Sequence, residues 1–251
     1  MARRKKRNRR RRHSFAVLYK LLCLALIVSA VVAALALFFK VEEIRVSGNN
    51  RYTQQEIIAA SGVKSGDNLF IMNKYDVAGR IRDAHSYVES VSITRDLPGT
   101  LCIHINECTC AVALVQEGKA WLLCDTGKIV DSVAGSAVQD CALVTGLTLL
   151  NPQLGAAMQA DEENEYARQQ LMEMLGQLRS KGMLEDVQEI HLENSEYITV
   201  RYLDRFDVEI PWDADFDYKF DFLAAVVAKL ENYETGTLKM MTDGEARLIA
   251  G

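Results

Sequence analysis

The chain has 251 residues, 49 % hydrophobic and 25 % charged, a length for about one to three domains and the composition of ordinary folded protein. Its net charge of −5 hides two opposed parts: residues 1–40 hold eleven of the 29 Lys and Arg and no acid, and the rest hold 18 bases against 34 acids. Six cysteines are spread widely; with Cys23 in an apolar run, Cys102, Cys108, Cys110, Cys124 and Cys141 leave an odd number outside it, so at least one thiol is free or intermolecular. They read as small buried thiols and argue against a disulfide-stapled fold.

Residues 1–14 form a basic tail, opening MARRKKRNRRRRH. A run of this kind can bind nucleic acid, but an apolar segment, residues 15–39, follows at once. From Leu21 to Phe39 the one polar side chain is Ser29. At about 1.5 Å per residue these residues reach roughly 28 Å, close to the hydrocarbon thickness of a bilayer. Massed Arg and Lys on one flank predict a cytoplasmic N-terminus, and Phe38, Phe39 and Lys40 suit the outer interface. Ala34-Leu35-Ala36 resembles a signal-peptide cleavage site, yet the run is too long for a secretory apolar region and continues past it. The expectation is a retained single-pass anchor, its tail touching anionic lipids and no nucleic acid.

The body opens with a strand over 41–46 and a turn at Ser47-Gly48-Asn49-Asn50. Thr53 and Glu56 have capping-box spacing for a short helix ending at Gly62. Lys64 to Asn68 is a second turn, after which Leu69, Phe70 and Ile71 read as buried anchors. A second helix from Asn73 places Val77, Ile81 and Ala84 on one face. Strands over 88–97 and 100–107 follow, joined at Pro98-Gly99, with Leu101, Ile103 and Ile105 alternating inward.

Val46-Ser47-Gly48-Asn49, Gly66-Asp67-Asn68-Leu69-Phe70, the run from Val88 to Arg95 and the run from Pro98 to Glu107 together resemble the POTRA domain of the FtsQ/DivIB family of bacterial cell-division proteins. Ser86-Tyr87 stands where the family often has Pro before the aromatic residue, and Cys108 and Cys110 replace its usual Arg and Pro. The resemblance implies an α+β chain: the basic tail, one transmembrane helix over 15–39, a β-α-α-β-β POTRA domain over 41–108, and a C-terminal β domain over 109–250 with helices on a mostly antiparallel sheet.

In that second region, residues 120–130 read as a hairpin turning near Asp125 to Gly127, and Val144-Thr145-Gly146-Leu147 as a short apolar step. Residues 148–160 carry no readable pattern. Residues 161–181 form the best helix of the chain, with Leu171, Met174, Leu175 and Leu178 in one stripe. Strands over 187–192, 197–203 and 206–210 follow, then a helix over 215–232, a strand over 237–241, a turn at Thr242-Asp243-Gly244 and a last strand over 246–250.

No metalloprotease, nucleophile-elbow or Walker motif occurs, and the histidines are scattered. The reading is of a protein without catalytic residues, cofactor or metal. A POTRA module can instead offer a sheet edge to which another protein adds a strand. Residues 237–241 are the expected edge, ending in the adaptable pair Met240 and Met241. The resemblance implies that FtsB/DivIC- and FtsL-like bitopic partners bind at Tyr218, Lys219, Phe222, Thr237, Leu238, Lys239, Met240 and Met241. It also implies concentration at the division septum, where the complex regulates peptidoglycan synthesis. The alternatives are a membrane-anchored wall enzyme or sensor, and a chaperone for an outer-membrane barrel.

Overall fold

The computed structural model describes residues 12–138, 141–241 and 245–250. Most of the basic tail and the turn at residues 242–244 lie outside the described residues. The first helix, α1 (Arg12–Phe38), contains the apolar window Val17–Leu35, of mean hydropathy 2.4 and with none of it buried. It is long and apolar enough to cross a membrane. Its polar side chain at Ser29 donates to the Leu26 carbonyl at 2.9 Å, the internal pairing that a helix in lipid requires.

The body divides into two compact units, one holding the described residues up to Ile81 with Val91–Ile105, the other Arg82–Ser90 with the remainder. In the first unit β1 (Glu43–Ser47) lies parallel to β3 (Thr100–Glu107), whose other neighbour is β2 (Val88–Asp96). The helices α2 (Gln54–Ser61) and α3 (Lys74–Ala84) complete the β-α-α-β-β order. Thr53 and Glu56 close the capping box at the start of α2, and Gly62 ends it in the left-handed region at φ 67°. Arg80 of α3 then donates twice to the Ser61 carbonyl, at 2.6 and 2.9 Å, satisfying an acceptor that the helix end leaves open. Ile57, Leu69, Val77, Ile81, Leu101 and Ile103 form the core.

The expectation of three buried anchors at 69–71 is corrected: Leu69 is buried, but Phe70 is 46 % and Ile71 78 % exposed. The Asn68 carboxamide oxygen accepts from the amides of both Phe70 and Ile71, at 2.9 and 3.0 Å. That local turn swings their side chains outward. Ala84, expected on the buried face of α3, is also exposed.

The second unit is built on a nine-stranded sheet. Its strands are β4 (Val112–Gln116), β5 (Lys119–Leu123), β6 (Ile129–Ala134), β7 (Ala142–Thr145), β8 (Val187–His191), β9 (Tyr197–Tyr202), β10 (Phe206–Pro211), β11 (Gly236–Met240) and β12 (Ala246–Ala250). They lie in the order β12-β11-β10-β9-β8-β7-β4-β5-β6. Antiparallel pairs predominate, with parallel contacts at β4–β7, β7–β8 and β10–β11. The helices α4 (Glu165–Ser180) and α5 (Phe216–Val227) bury Leu171, Met174, Leu175 and Leu178, and Phe216, Phe220 and Leu223, in the same core as Val144, Ile190, Val200 and Val208. The fold is α+β, as expected. Both helices are shorter than their periodicity suggests; α4 starts only at Glu165, after Asp161 has turned the chain by accepting from the Asn164 amide at 3.0 Å.

Two parts of this unit escape the periodic pattern. Strand β4 buries Val112, Ala113 and Leu114 in succession, so both of its faces are covered there and its sequence does not alternate. Residues 148–160 form a loop whose Leu149 and Met158 enter the core, while the Gln116 carboxamide holds both backbone groups of Leu149, at 2.9 and 3.3 Å.

The cysteines depart from expectation as well. Cys110 and Cys141 form a disulfide, with Cα atoms 5.8 Å apart, just before the paired residues Val112 and Ala142 of β4 and β7. Cys23, Cys102, Cys108 and Cys124 are free thiols.

Candidate protein-binding edge

Helix α5 begins where the Asp215 carboxylate accepts from the Tyr218 amide at 3.2 Å. Its periodicity sends Phe216, Phe220 and Leu223 inward and leaves Tyr218 half exposed on the outer face. One turn on from Tyr218, Phe222 stacks with it, ring centroids 6.1 Å apart and planes 5° from parallel. Lys181, from the residue that follows α4, pairs with Asp217 at 2.7 Å and Asp221 at 2.6 Å. Hydrogen bonds to those two carboxylates raise its pKa and tie the helices together.

Lys219 takes the opposite course. It is 4 % exposed, and its ammonium donates to the Met241 carbonyl at the end of β11. The Tyr218 ring lies 5.7 Å from the same nitrogen, which adds a favourable cation–π contact. Lys239 of β11 faces its register partner Glu209 of β10, at 2.8 Å, and lies 5.9 Å from the Tyr197 ring. The bond to Glu209 raises its pKa.

Strand β11 is not the sheet edge. It pairs with β10 in parallel and with β12 antiparallel, so its backbone groups are occupied on both sides. The expectation of a free edge at residues 237–241 is therefore corrected, because alternation along a strand does not reveal its neighbours. Leu238 and Met240 are buried in the core and Lys219 serves the Met241 carbonyl; these three side chains are spent inside the domain. Tyr218, Phe222, Thr237, Lys239 and Met241 retain some exposure.

The terminal strand in sheet order is β12, missed as a site although read as a strand. The Met241 amide donates to the Glu245 carbonyl at 2.8 Å, so residues 245, 247 and 249 face β11 with their backbone groups. Ala246, Leu248 and Ala250 then turn theirs outward, as an added strand would need. Leu248 packs half-buried on the core while Arg247 and Ile249 are exposed. The opposite edge, β6, is blunted at its start: Ile129 exchanges two 2.8 Å backbone bonds with Gly155 and Ala156 of the long loop.

Comparison with known proteins agrees with this architecture. Residues 39–107 match the family described as the POTRA domain, FtsQ-type, and residues 113–243 match the C-terminal family of cell division protein FtsQ/DivIB. Cell division protein FtsQ of Geotalea daltonii is 26 % identical over 77 % of this chain and 69 % of its own length. Cell division protein DivIB of Clostridium botulinum strain Hall is 27 % identical over 50 % of this chain and 49 % of its own. The solved extracytoplasmic domain of DivIB from Geobacillus stearothermophilus covers 51 % of this chain and 98 % of that domain, with 18 % identity and a TM-score of 0.31.

An apolar N-terminal helix, an FtsQ-type POTRA domain and a β-rich C-terminal domain define a class of cell-division protein. The chain belongs to the FtsQ/DivIB family.

Proposed function

We propose that the chain is a non-catalytic scaffold of the divisome. Its N-terminus is cytoplasmic, α1 crosses the cell membrane once, and the body stands outside the membrane and gathers at the septum. There it holds FtsB/DivIC- and FtsL-like bitopic partners and so regulates septal peptidoglycan synthesis. The binding role rests chiefly on the exposed edge of β12. A partner strand laid along it gains main-chain hydrogen bonds, and the exposed Arg247 and Ile249 supply selectivity. Tyr218 with Phe222, Thr237 and Lys239 on β11, and Met241 just after it, are the remaining proposed contacts.

The test pairs the full-length protein with purified FtsB/DivIC-like and FtsL-like partners of the same organism. Ala246→Pro with Ala250→Pro removes two outward amides of β12 without touching the bonds to β11. Loss of partner binding at unchanged thermal stability supports the edge. Undiminished binding by the double variant removes β12 from the interface, and absence of binding by the parent protein sinks the scaffold reading.

A further inference from the structure

The first unit exposes few large apolar side chains, and they are grouped. Beyond α1, those described are Phe70, Ile71, Tyr75 and Leu97. Each lies at the end of the domain to which α1 is attached. The Leu69 amide donates to the Phe39 carbonyl at 2.9 Å, and the Asn68 carboxamide donates to the Leu35 carbonyl in the last turns of α1 at 3.0 Å. Lys40 and Asn68 form a further backbone bridge, and the Phe39 and Phe70 rings meet edge to face at 5.0 Å. Leu97 belongs to the β2–β3 turn, beside the start of β1: the Gly99 carbonyl accepts from Glu42 at 2.8 Å, and Glu43 pairs with Thr100.

Basic groups border this apolar cluster. Lys40 and Lys74 are exposed, and Arg95 holds the loop by donating to the Met72 carbonyl at 3.1 Å, its guanidinium 5.9 Å from the Phe70 ring. Of the nearby acids, Glu42 is exposed beside Gly99, Glu43 pairs with Arg45 at 2.8 Å, Asp67 accepts from the Lys64 amide and Asp96 lies 3.7 Å from Arg45, while Asp76 stands in the first turn of α3. A monomeric domain gains nothing in water from an exposed Ile71 beside an exposed Phe70. At the lipid–water boundary the same pair is stabilised, because aromatic and aliphatic side chains seat among the headgroups while Lys and Arg reach phosphate.

We propose that this end of the POTRA domain is itself a membrane-surface contact, with Phe70, Ile71, Tyr75 and Leu97 in the outer headgroup layer and Lys40, Lys74 and Arg95 on anionic phospholipid. The inference rests on the reading of α1 as a membrane anchor. The contact continues the surface that the anchor already has with lipid. It limits the tilt of the domain against the bilayer, which a single span alone leaves open.

The test uses full-length Ile71→Trp in vesicles of phosphatidylcholine with phosphatidylglycerol, some of the lipid brominated near the headgroup. Gln55→Trp, at the exposed start of α2, is the control. Emission in excess of the parent protein, which carries Trp121 and Trp212, is compared. We expect brominated lipid to quench most of the Ile71→Trp excess and little of the Gln55→Trp excess. The difference should shrink when phosphatidylglycerol is omitted or Lys40 and Lys74 are both changed to Gln. Equal quenching of the two tryptophans, in protein that resists alkaline extraction from the vesicles, overturns the contact and leaves the anchor standing. Extraction of the protein by alkali overturns the anchor reading and the contact with it. Strong quenching of Ile71→Trp that is indifferent to phosphatidylglycerol overturns the headgroup part alone.

Discussion

Lys219 and Met241 join α5 to the end of β11 by one charge-assisted hydrogen bond, made from an almost fully buried ammonium. A buried charge is tolerated only where its donors are used, so this pair fixes the helix against the strand that carries β12. Lys219→Ala leaves the Met241 carbonyl without this donor and opens space beneath α5. We expect a loss of about 1–3 kcal/mol in urea unfolding. An unchanged midpoint would show that the bond contributes nothing net.

Tyr218 has lighter internal duties: it is half exposed, stacked on Phe222, and lies 5.7 Å from the Lys219 ammonium. Tyr218→Ala should leave the melting temperature within a few degrees of the parent. If the helix face belongs to the interface, it should weaken partner binding by about tenfold or more, the loss typical of an aromatic anchor. Calorimetric titration with the purified partner measures this, and unchanged affinity would restrict the interface to the strands.

The Cys110–Cys141 disulfide closes a loop with a sequence separation of 31. Constraining an unfolded loop of that size corresponds to about 3–4 kcal/mol. The Cys110→Ser, Cys141→Ser double variant should therefore unfold at clearly lower denaturant, and reductant should destabilise the parent protein but not the variant. Equal sensitivity of the two to reductant would refute the assignment.

Cys124 gives a pH prediction. Thr126 Oγ1 lies 2.9 Å from its sulfur, and its neighbour Cys108 donates its own thiol to the Tyr87 carbonyl at 3.4 Å. Cys108 first, and Thr126 after it, hold the Cys124 thiol below the ordinary cysteine range, while the same pairing and burial push Cys108 upward. A depressed thiol contributes stability that is complete above the unfolded value and lost as pH falls through the folded one. Stability should thus rise as pH climbs from the depressed folded value to the ordinary thiol value, and the ultraviolet thiolate band should appear below the pH at which a free cysteine ionises. Both effects should vanish in Cys124→Ser; a native thiolate band emerging only near pH 9 would contradict the arrangement.

Gly48 occupies the left-handed region at φ 80°, and a Cβ there would collide with the Ile105 carbonyl of β3. Gly48→Ala should cost more than the roughly 1–2 kcal/mol of the dihedral alone, because the obstacle is backbone. Thermal melting of the full-length variant measures it. Substitution at Gly66, whose added Cβ meets nothing, is the control for conformation without collision.

What could be read in advance divides along a physical line. The capping box at Thr53, the Gly62 cap, the alternation of Leu101, Ile103 and Ile105 and the stripe of α4 are set by residues a few positions apart, and all were legible. Strand β4 was not, because a strand covered on both faces has no period of two to detect. Phe70 and Ile71 looked buried on hydropathy, and the outcome turned on one side chain, Asn68, bonding to their amides. Cysteine spacing cannot assign connectivity, so the Cys110–Cys141 bond was beyond reach. At the candidate site, α5 and both terminal strands were visible, but their lateral order was not. The residues 237–241 look as edge-like in sequence as Ala246–Ala250, and only the pairing of β11 on both sides separates them.

Parallel pairing also governs how this protein comes together in time. Ser47 of β1 meets His104 of β3 across 57 residues, and Thr145 of β7 meets His191 of β8 across 46. Neither sheet can close until the distant strand exists, whereas the β4–β5–β6 meander forms from immediate neighbours. Loop-closure entropy is spent before those remote contacts return anything, which places the chain among slow folders. During that interval the strands that will later lie inside the sheets stand unpaired, a state in which a chain is most open to wrong partners of its own kind.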